Sequence, residues 1–269
     1  MLSPNVLPGE FTDTDRFLFE SWGYIVIPDL LSRSEIDELQ DASERLHAAL
    51  DARDAPPRGR GVIYEFDPAF ERLMDHPKVL PKVHALYGDR FILQAAANTR
   101  VQPGTPAGGW HQDGSNAYDY KQLGHPIPLL QLRVSYLITD QTEPGQGNLE
   151  LIPGSHRAQV GLPDHVREVR GDVPIGHVLC AEAGTVLIFH NAVWHRAYDH
   201  NGPNVRYTPH YIYSPPWLRY SDRMQNSRQF LDRTTPLRRA LLGDFSRPDA
   251  PFGANYDPLP IGAGLGSNG

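Results

Sequence analysis

The sequence predicts a mainly β domain, a β-sandwich or barrel, with helices packed on the outside of one sheet. Three observations predict it. From Phe91 onward, β-rich runs recur at short intervals: Phe91 to Val101, Leu129 to Ile138, Leu149 to Ile152, Thr185 to Phe189 and Tyr207 to Tyr213. Turn clusters such as Gln102-Pro103-Gly104 and Glu143-Pro144-Gly145-Gln146-Gly147 separate those runs, which suits a sandwich or barrel better than a parallel α/β sheet. Helical patterning lies mostly before the strands, which gives the helices one face of a sheet to cover.

Taken in order, a first helix starts at Thr12 or Asp13, turns Phe17 and Leu18 inward, and stops near Gly23. Tyr24 to Ile27 is a short buried strand closed by Pro28. Ser32-Arg33-Ser34-Glu35 fits a capping box, and behind it Ile36, Leu39, Leu46 and Leu50 share one helical face as far as about Asp51. Asp54 to Gly61 is a loop by its proline and glycine content. It carries Arg58 and Arg60, and reads either as solvated surface or as a lid facing a substrate. A helix from Pro77 to Tyr87 ends at Gly88. Asp222 to Leu242 is helical again, and a Gly/Pro-rich tail follows Pro248. Residues 1–269 read as one domain: a helical part over 1–90, a β core over 91–213, and a C-terminal helix and tail over 214–269.

Composition narrows the function. With 269 residues, 40% hydrophobic and 21% charged, the chain can bury a sizeable core. A formal net charge of −7 argues against general binding to nucleic acid or anionic membranes. Cys180 is the only cysteine, so no intrachain disulfide forms and Cys-rich zinc modules are excluded. The first fifteen residues lack the basic and apolar runs of a signal peptide. No stretch approaches the roughly 18–20 apolar residues that span a bilayer. These features point to a reducing cytoplasm.

The chemistry centres on Trp110-His111-Gln112-Asp113. Side chains two apart on an extended strand share a face, so His111 and Asp113 are able to grip one ion. Imidazole plus carboxylate suits a divalent first-row metal, and one more histidine completes a facial triad with open positions. Read alone, the pair is by default a solvated loop, since histidine and aspartate meet at this spacing by chance in many chains. His190, His195 and His200 follow an apolar strand, and any of them can be delivered by its end. His195 has the strongest context, because it follows Trp194 and precedes Arg206 by eleven residues. A guanidinium offers a planar fork that matches a carboxylate, and beside a metal it would anchor a dicarboxylate. His190 and His200 are read as solvent-facing or as neighbours of the site. Trp110, Trp194 and Trp217 are read as core or pocket wall, and Tyr118 and Tyr120 as cavity lining or rim.

These pieces resemble the phytanoyl-CoA dioxygenase-like family of iron(II)- and 2-oxoglutarate-dependent oxygenases. The matching motifs are His111-Gln112-Asp113, then Gly147-Asn148-Leu149-Glu150-Leu151-Ile152-Pro153-Gly154-Ser155-His156-Arg157, then His195 with Arg206. They span roughly residues 98 to 213. The resemblance implies a double-stranded β-helix, or jelly roll, with iron at its open end. It implies His111, Asp113 and His195 as metal ligands and Arg206 as partner of the distal carboxylate of 2-oxoglutarate. Tyr136 falls where many members set a large residue against the co-substrate. Asn98 and Arg100, alternating on the strand entering the site, read either as helpers in co-substrate binding or as structural. The Pro153-Gly154-Ser155-His156 turn reads as scaffold.

The resemblance further implies the cofactors iron(II), 2-oxoglutarate and dioxygen, with succinate and CO2 as co-products and a small-molecule substrate. Halogenating members replace the carboxylate ligand with a small residue, so Asp113 favours hydroxylation. Desaturation, epoxidation and ring formation remain open. Two rivals keep the fold: a non-redox cupin-like isomerase or hydrolase using the triad as a Lewis acid, and a non-catalytic metal-binding jelly-roll module. Arg206 discriminates, since a Lewis-acid enzyme has no need of a distal carboxylate anchor.

Overall fold

Among the described residues, nine strands form two antiparallel sheets, and eight short or medium helices pack mostly on the larger one. The computed structural model describes residues 4–52, 60–114, 119–169, 173–218 and 226–244. Arg58, Tyr118 and the tail after Pro248 lie outside those residues. The chain opens with α1 (Asp13–Trp22), β1 (Tyr24–Ile27), α2 (Arg33–Asp51) and β2 (Arg60–Gly61). Next come α3 (Ile63–Phe66), α4 (Pro68–Glu71), α5 (Leu80–Tyr87), β3 (Ile92–Val101), β4 (Leu132–Tyr136) and β5 (Leu149–Leu151). It continues through α6 (Asp164–Arg167), β6 (His177–Val178), β7 (Val186–His190), β8 (His195–Ala197) and β9 (Arg206–Ser214), and ends with α7 (Arg228–Arg233) and α8 (Pro236–Leu241). The large sheet runs β1-β7-β4-β9-β3-β2 and the small one β6-β5-β8. This is the expected mainly β, jelly-roll architecture with flanking helices.

The helix starts follow their caps. In α1 and α2, Thr12 and Ser32 each accept a hydrogen bond from the backbone N–H three residues on, while Asp15 and Glu35 return the favour. Gly23 ends α1 in the left-handed conformation, φ 81°, with its N–H on the Phe19 carbonyl. Three expectations need correction. Phe17 is 70% exposed rather than turned inward; Phe19 is the buried ring of that helix. The helix expected from Pro77 starts at Leu80, because Pro81 lacks an N–H and belongs in a first turn. The long C-terminal helix is, within the described residues, two short ones, since Pro236 opens α8 behind a Thr235 cap.

Strand alternation divides the core in two. One face of the large sheet sends Ile25, Ile27, Leu132, Val134, Tyr136, Ile188, Tyr211 and Tyr213 against helix residues such as Leu39, Leu46, Phe70 and Leu73. Full burial of each large apolar side chain contributes about 1.5–3 kcal/mol. The other face sends Tyr24, Val26, Leu187 and Phe189 against Leu151, Leu179 and Val193 around the small sheet. The space between the sheets holds the site.

Three site expectations fall on the wrong side of this division. Tyr136 is fully buried in the helix-side core, donates its hydroxyl to the Leu73 carbonyl at 3.2 Å, and meets Tyr211 edge-on. It therefore does not wall a co-substrate. Asn98 and Arg100 pair across β3 and β9 with Pro209 and Tyr207, on the same helix-side face as Ala96 and Tyr211. Arg100 there forms a two-point ion pair with Asp51 of α2, at 2.7 and 2.8 Å. Positions 98 and 100 do share a face, as strand alternation requires, and that face looks away from the cleft.

Candidate metal centre

Residues His111, Asp113 and His195 come together between the sheets, each with a ligand atom within 4.8 Å of the other two. Among the described residues they form the one such group of histidine, cysteine and acidic side chains. The backbone does much of the placing. His111 and His195 are a bridging pair that exchange two N–H···O=C bonds, both 3.0 Å, and the Asp113 N–H donates to the Asn191 carbonyl at 3.0 Å. Both imidazoles are oriented through Nδ1. His111 donates there to the Gly109 carbonyl at 3.0 Å and His195 to the Val193 carbonyl at 2.8 Å. That tautomer leaves each Nε2 lone pair for an ion.

The charge state suits a ligand set. Burial pushes the His195 imidazole down to about 3, partly offset by Asp113, so it is neutral near pH 7. Burial pushes the Asp113 carboxyl up, but Arg133, His195 and His111 outweigh it and hold it below the usual range. Two imidazoles and one carboxylate make a facial donor set for iron(II). The donor chemistry therefore fits that metal.

Neighbouring residues hold the ligand segments in place. Arg133 of β4 donates to Asp113 Oδ1 at 2.6 Å. Tyr120 donates its hydroxyl to the Asp113 carbonyl and accepts from Asn191 Nδ2. Trp110 and Arg196, which flank the two histidines in sequence, stack with the guanidinium 4.6 Å from the ring. Arg196 is fully buried and its Nε donates to Glu150 of β5 at 2.6 Å. The Pro153-Gly154-Ser155-His156 turn is scaffold, as expected. Ser155 Oγ accepts from the Trp194 N–H at 2.9 Å, beside His195, and His156 Nε2 donates to the Glu20 carbonyl of α1 at 3.1 Å.

Arg206 lies at the start of β9, 7% exposed, with Nη1 donating to the Gly147 carbonyl. Its Nε is buried without a partner, and so is Oγ1 of Thr208. Residues two apart share a strand face, so these two orphaned groups sit side by side on the cleft side with His210, which pairs with Ser135 of β4 at 2.7 Å. Burial alone pushes the Arg206 guanidinium down to about 10, which leaves it cationic at neutral pH. An unpaired buried cation and hydroxyl are costly unless an anion satisfies them. A carboxylate of a small diacid fits that pair. A cavity of about 600 Å³ also touches Arg206, lined by Gln40, Glu44, Asp140, Gln146 and His200 among others; none of the three candidate ligands lines it.

The structure thus brings together His111, Asp113 and His195, sets Arg206 on the cleft face of β9, and moves Tyr136, Asn98 and Arg100 to the helix side. His190 and His200 are buried, 5% and 2% exposed, rather than solvent-facing. Trp217 is 71% exposed, whereas Trp110 is buried as expected. Arg133 and Thr208 escaped the reading of the sequence. A charged residue inside Leu-Arg-Val-Ser-Tyr and a hydroxyl two after Arg206 were the available signals.

The phytanoyl-CoA dioxygenase (PhyH) family profile matches residues 19–208. The chain belongs to this family. Members of the phytanoyl-CoA dioxygenase family use iron(II), 2-oxoglutarate and dioxygen, so the chain is an enzyme of the iron- and 2-oxoglutarate-dependent oxygenase class. Solved structures agree on the fold. HygX from Streptomyces hygroscopicus, described with nickel and 2-oxoglutarate bound, superposes with a TM-score of 0.65 at 19% identity, over 78% of this chain and 89% of its own. EctD from S. alaskensis gives 0.63 at 23% identity, over 80% and 81%. SnoK, described as a non-heme α-ketoglutarate-dependent carbocyclase from nogalamycin biosynthesis, gives 0.58 at 18% identity, over 77% and 85%. No curated protein matches this sequence. Among the described residues, no helix is long and apolar enough to cross a membrane.

Proposed function

We propose that this chain is a dioxygenase that hydroxylates an unactivated C–H bond of a small molecule, with His111, Asp113 and His195 as iron ligands. In this reading Arg206, helped by Thr208, binds the distal carboxylate of 2-oxoglutarate. The observation that carries it is the convergence of three donor atoms within 4.8 Å, both imidazoles presenting Nε2. His111, Asp113 and His195 would hold the metal from one side and leave the rest of its surroundings to the co-substrate. When bound, iron and 2-oxoglutarate supply the oxidising power from dioxygen, and the keto acid leaves as succinate and CO2. The protein contributes binding and orientation. Arg206 and Thr208 fix the far end of the diacid, the Nδ1 bonds of His111 and His195 fix the rings, and Arg133 and Tyr120 fix Asp113. No side chain is required as general acid or base.

Asp113 supports oxygenation over halogenation, because the carboxylate holds the place a halide would take. The fold does not select hydroxylation: structural neighbours include SnoK, described as a carbocyclase, and SnoN, described as an epimerase. A small-molecule substrate is supported by analogy with HygX, one structure of which is described with hygromycin B bound. The single, exposed Cys180 suits a reducing cytoplasm.

The experiment is anaerobic addition of iron(II) and 2-oxoglutarate, which is expected to give a weak visible charge-transfer band. Admitting oxygen is expected to yield succinate. An equally strong band in His111→Ala/Asp113→Ala protein would refute the ligand assignment. Metal-dependent turnover without succinate would favour the Lewis-acid rival, and neither succinate nor turnover would favour a binding module.

A further inference from the structure

We propose that Asn191 and Tyr120 are positioning residues for the carboxylate ligand, forming a directed hydrogen-bond relay that ties the Asp113 peptide to the turn presenting His195. The proposal rests on the metal-ligand reading above. The need for such a tie follows from the backbone. His111 and His195 hold each other through paired main-chain bonds, but Asp113 lies beyond that bridge, in a turn that continues into Gly114 at φ 79°. A carbonyl there has no strand neighbour to satisfy it. Asp113 is gripped instead from the turn between β7 and β8. Three successive carbonyls of that turn accept from the ligand segments: Asn191 from the Asp113 N–H at 3.0 Å, Ala192 from Gln112 Nε2 at 2.7 Å, and Val193 from His195 Nδ1 at 2.8 Å. Asn191, Ala192 and Val193 are all fully buried. One packed turn therefore faces both the carboxylate ligand and the second histidine.

The Asn191 side chain closes the grip from the other end of the Asp113 residue. Its Oδ1 accepts from the Gln131 N–H at 3.1 Å, while its own N–H donates to the Gln131 carbonyl at 3.0 Å. An N–H only donates, so the first bond fixes which end of the amide is oxygen and leaves Nδ2 for Tyr120. Nδ2 donates to the Tyr120 hydroxyl. A hydroxyl carries one hydrogen, and its oxygen is here already an acceptor. That hydrogen goes to the Asp113 carbonyl, which only accepts. Each donor in the series Gln131, Asn191, Tyr120 thus points onward to the ligand. With its N–H on the Asn191 carbonyl and its own carbonyl under Tyr120, Asp113 is pinned on both sides. This fixes the point from which its carboxylate reaches toward His195, whose Nε2 lies 3.8 Å from Oδ1.

The test is titration of Mn(II), followed by electron paramagnetic resonance, on full-length wild type, Tyr120→Phe, Asn191→Ala, the double variant and Tyr213→Phe. Tyr213→Phe is the matched control, because that hydroxyl also donates from a buried ring to a main-chain carbonyl, Met74 on the helix side, at 2.8 Å. Tyr120→Phe is expected to weaken Mn(II) about tenfold, the low end of the cost of removing a partner behind a metal ligand. Asn191→Ala is expected to weaken it severalfold. The double variant should match Tyr120→Phe within about twofold, since two links of one chain are not independent. Tyr213→Phe is expected to lower the melting temperature, as Tyr120→Phe does, and to leave Mn(II) affinity unchanged. Equal Mn(II) losses in Tyr213→Phe and Tyr120→Phe would make the effect one of general stability and overturn the proposal. Wild-type affinity in Tyr120→Phe overturns it too, as do losses that multiply in the double variant. Should Asn191→Ala fail to fold, Tyr120→Phe set against Tyr213→Phe decides. A wild type that binds no Mn(II), or binds it no better than His111→Ala/Asp113→Ala protein, brings down the ligand assignment itself, a separate and recognisable result.

Discussion

The two faces of the large sheet treat their buried polar groups differently. On the helix side, the hydroxyls of Tyr136, Tyr211 and Tyr213 donate to the main-chain carbonyls of Leu73, Phe70 and Met74. Those rings are stability devices with their polar ends satisfied. On the cleft side, Arg133 Nε, Arg206 Nε and Thr208 Oγ1 are buried and unpaired. An exception lies near α2, where His47 and Asn98 are also unpaired, beside Tyr207. The contrast otherwise holds along a single strand: β9 alternates Arg206, Thr208 and His210 toward the cleft with Tyr207, Tyr211 and Tyr213 toward the helices. Unsatisfied polarity on one face and satisfied polarity on the other distinguishes a site awaiting its ligands from a wall.

Three substitutions in β9 try this contrast, from the largest effect down. Tyr211→Ala removes a fully buried ring, and urea unfolding is expected to show a loss of about 3–5 kcal/mol. The protein that remains folded should bind iron(II) and 2-oxoglutarate within about twofold of the wild type. A matching loss of affinity would show that the faces are not separable. Arg206→Met, seen by titrating the charge-transfer band, is expected to weaken 2-oxoglutarate about a hundredfold. The melting temperature should hold or rise, because a buried unpaired guanidinium costs more than a thioether. A sharp drop in melting temperature with unchanged co-substrate affinity would move Arg206 to the structural side. Thr208→Val keeps the shape and deletes the orphaned hydroxyl. Its stability is expected to change by less than about 1 kcal/mol and its 2-oxoglutarate affinity to fall about tenfold, one hydrogen bond to a charged group. Unchanged affinity would leave that hydroxyl without a role.

Much of the fold was readable because local signals agreed with tertiary structure. The helix start at Thr12, the capping box at Ser32, the glycine ending α1, and the strands around Val134, Ile188 and Tyr211 all carry their own local signals. The short β5 was legible as the run Leu149 to Ile152 between turn clusters, whereas the three-residue β8 is too short to register as a strand and became visible only through His195. The candidate ligands were legible because a His-x-Asp pair with a distant histidine is a chemical pattern. Facing direction was not. Tyr136, Asn98 and Arg100 lie on strands that do enter the site, but which of two faces a strand turns inward depends on register, and a shift of one residue reverses it. Arg133 was hidden for the same reason, since a charged residue in a buried strand declares its partner only once Asp113 is folded opposite it.

The turn at Gly23 has a consequence for where this domain begins. A Cβ at that position would lie 2.4 Å from the Val193 side chain and 2.5 Å from His156 Nδ1, closer than real Cβ atoms approach. Through that contact, through His156 on the Glu20 carbonyl and through Gly154 on the Trp22 carbonyl, α1 is bolted to the segment that presents His195. The first helix donates no ligand, yet it clamps the distal one. A shortened chain beginning at β1 would keep every candidate donor atom and lose the clamp. The mechanical boundary of the centre therefore lies some ninety residues upstream of its first donor, in a helix that never touches it.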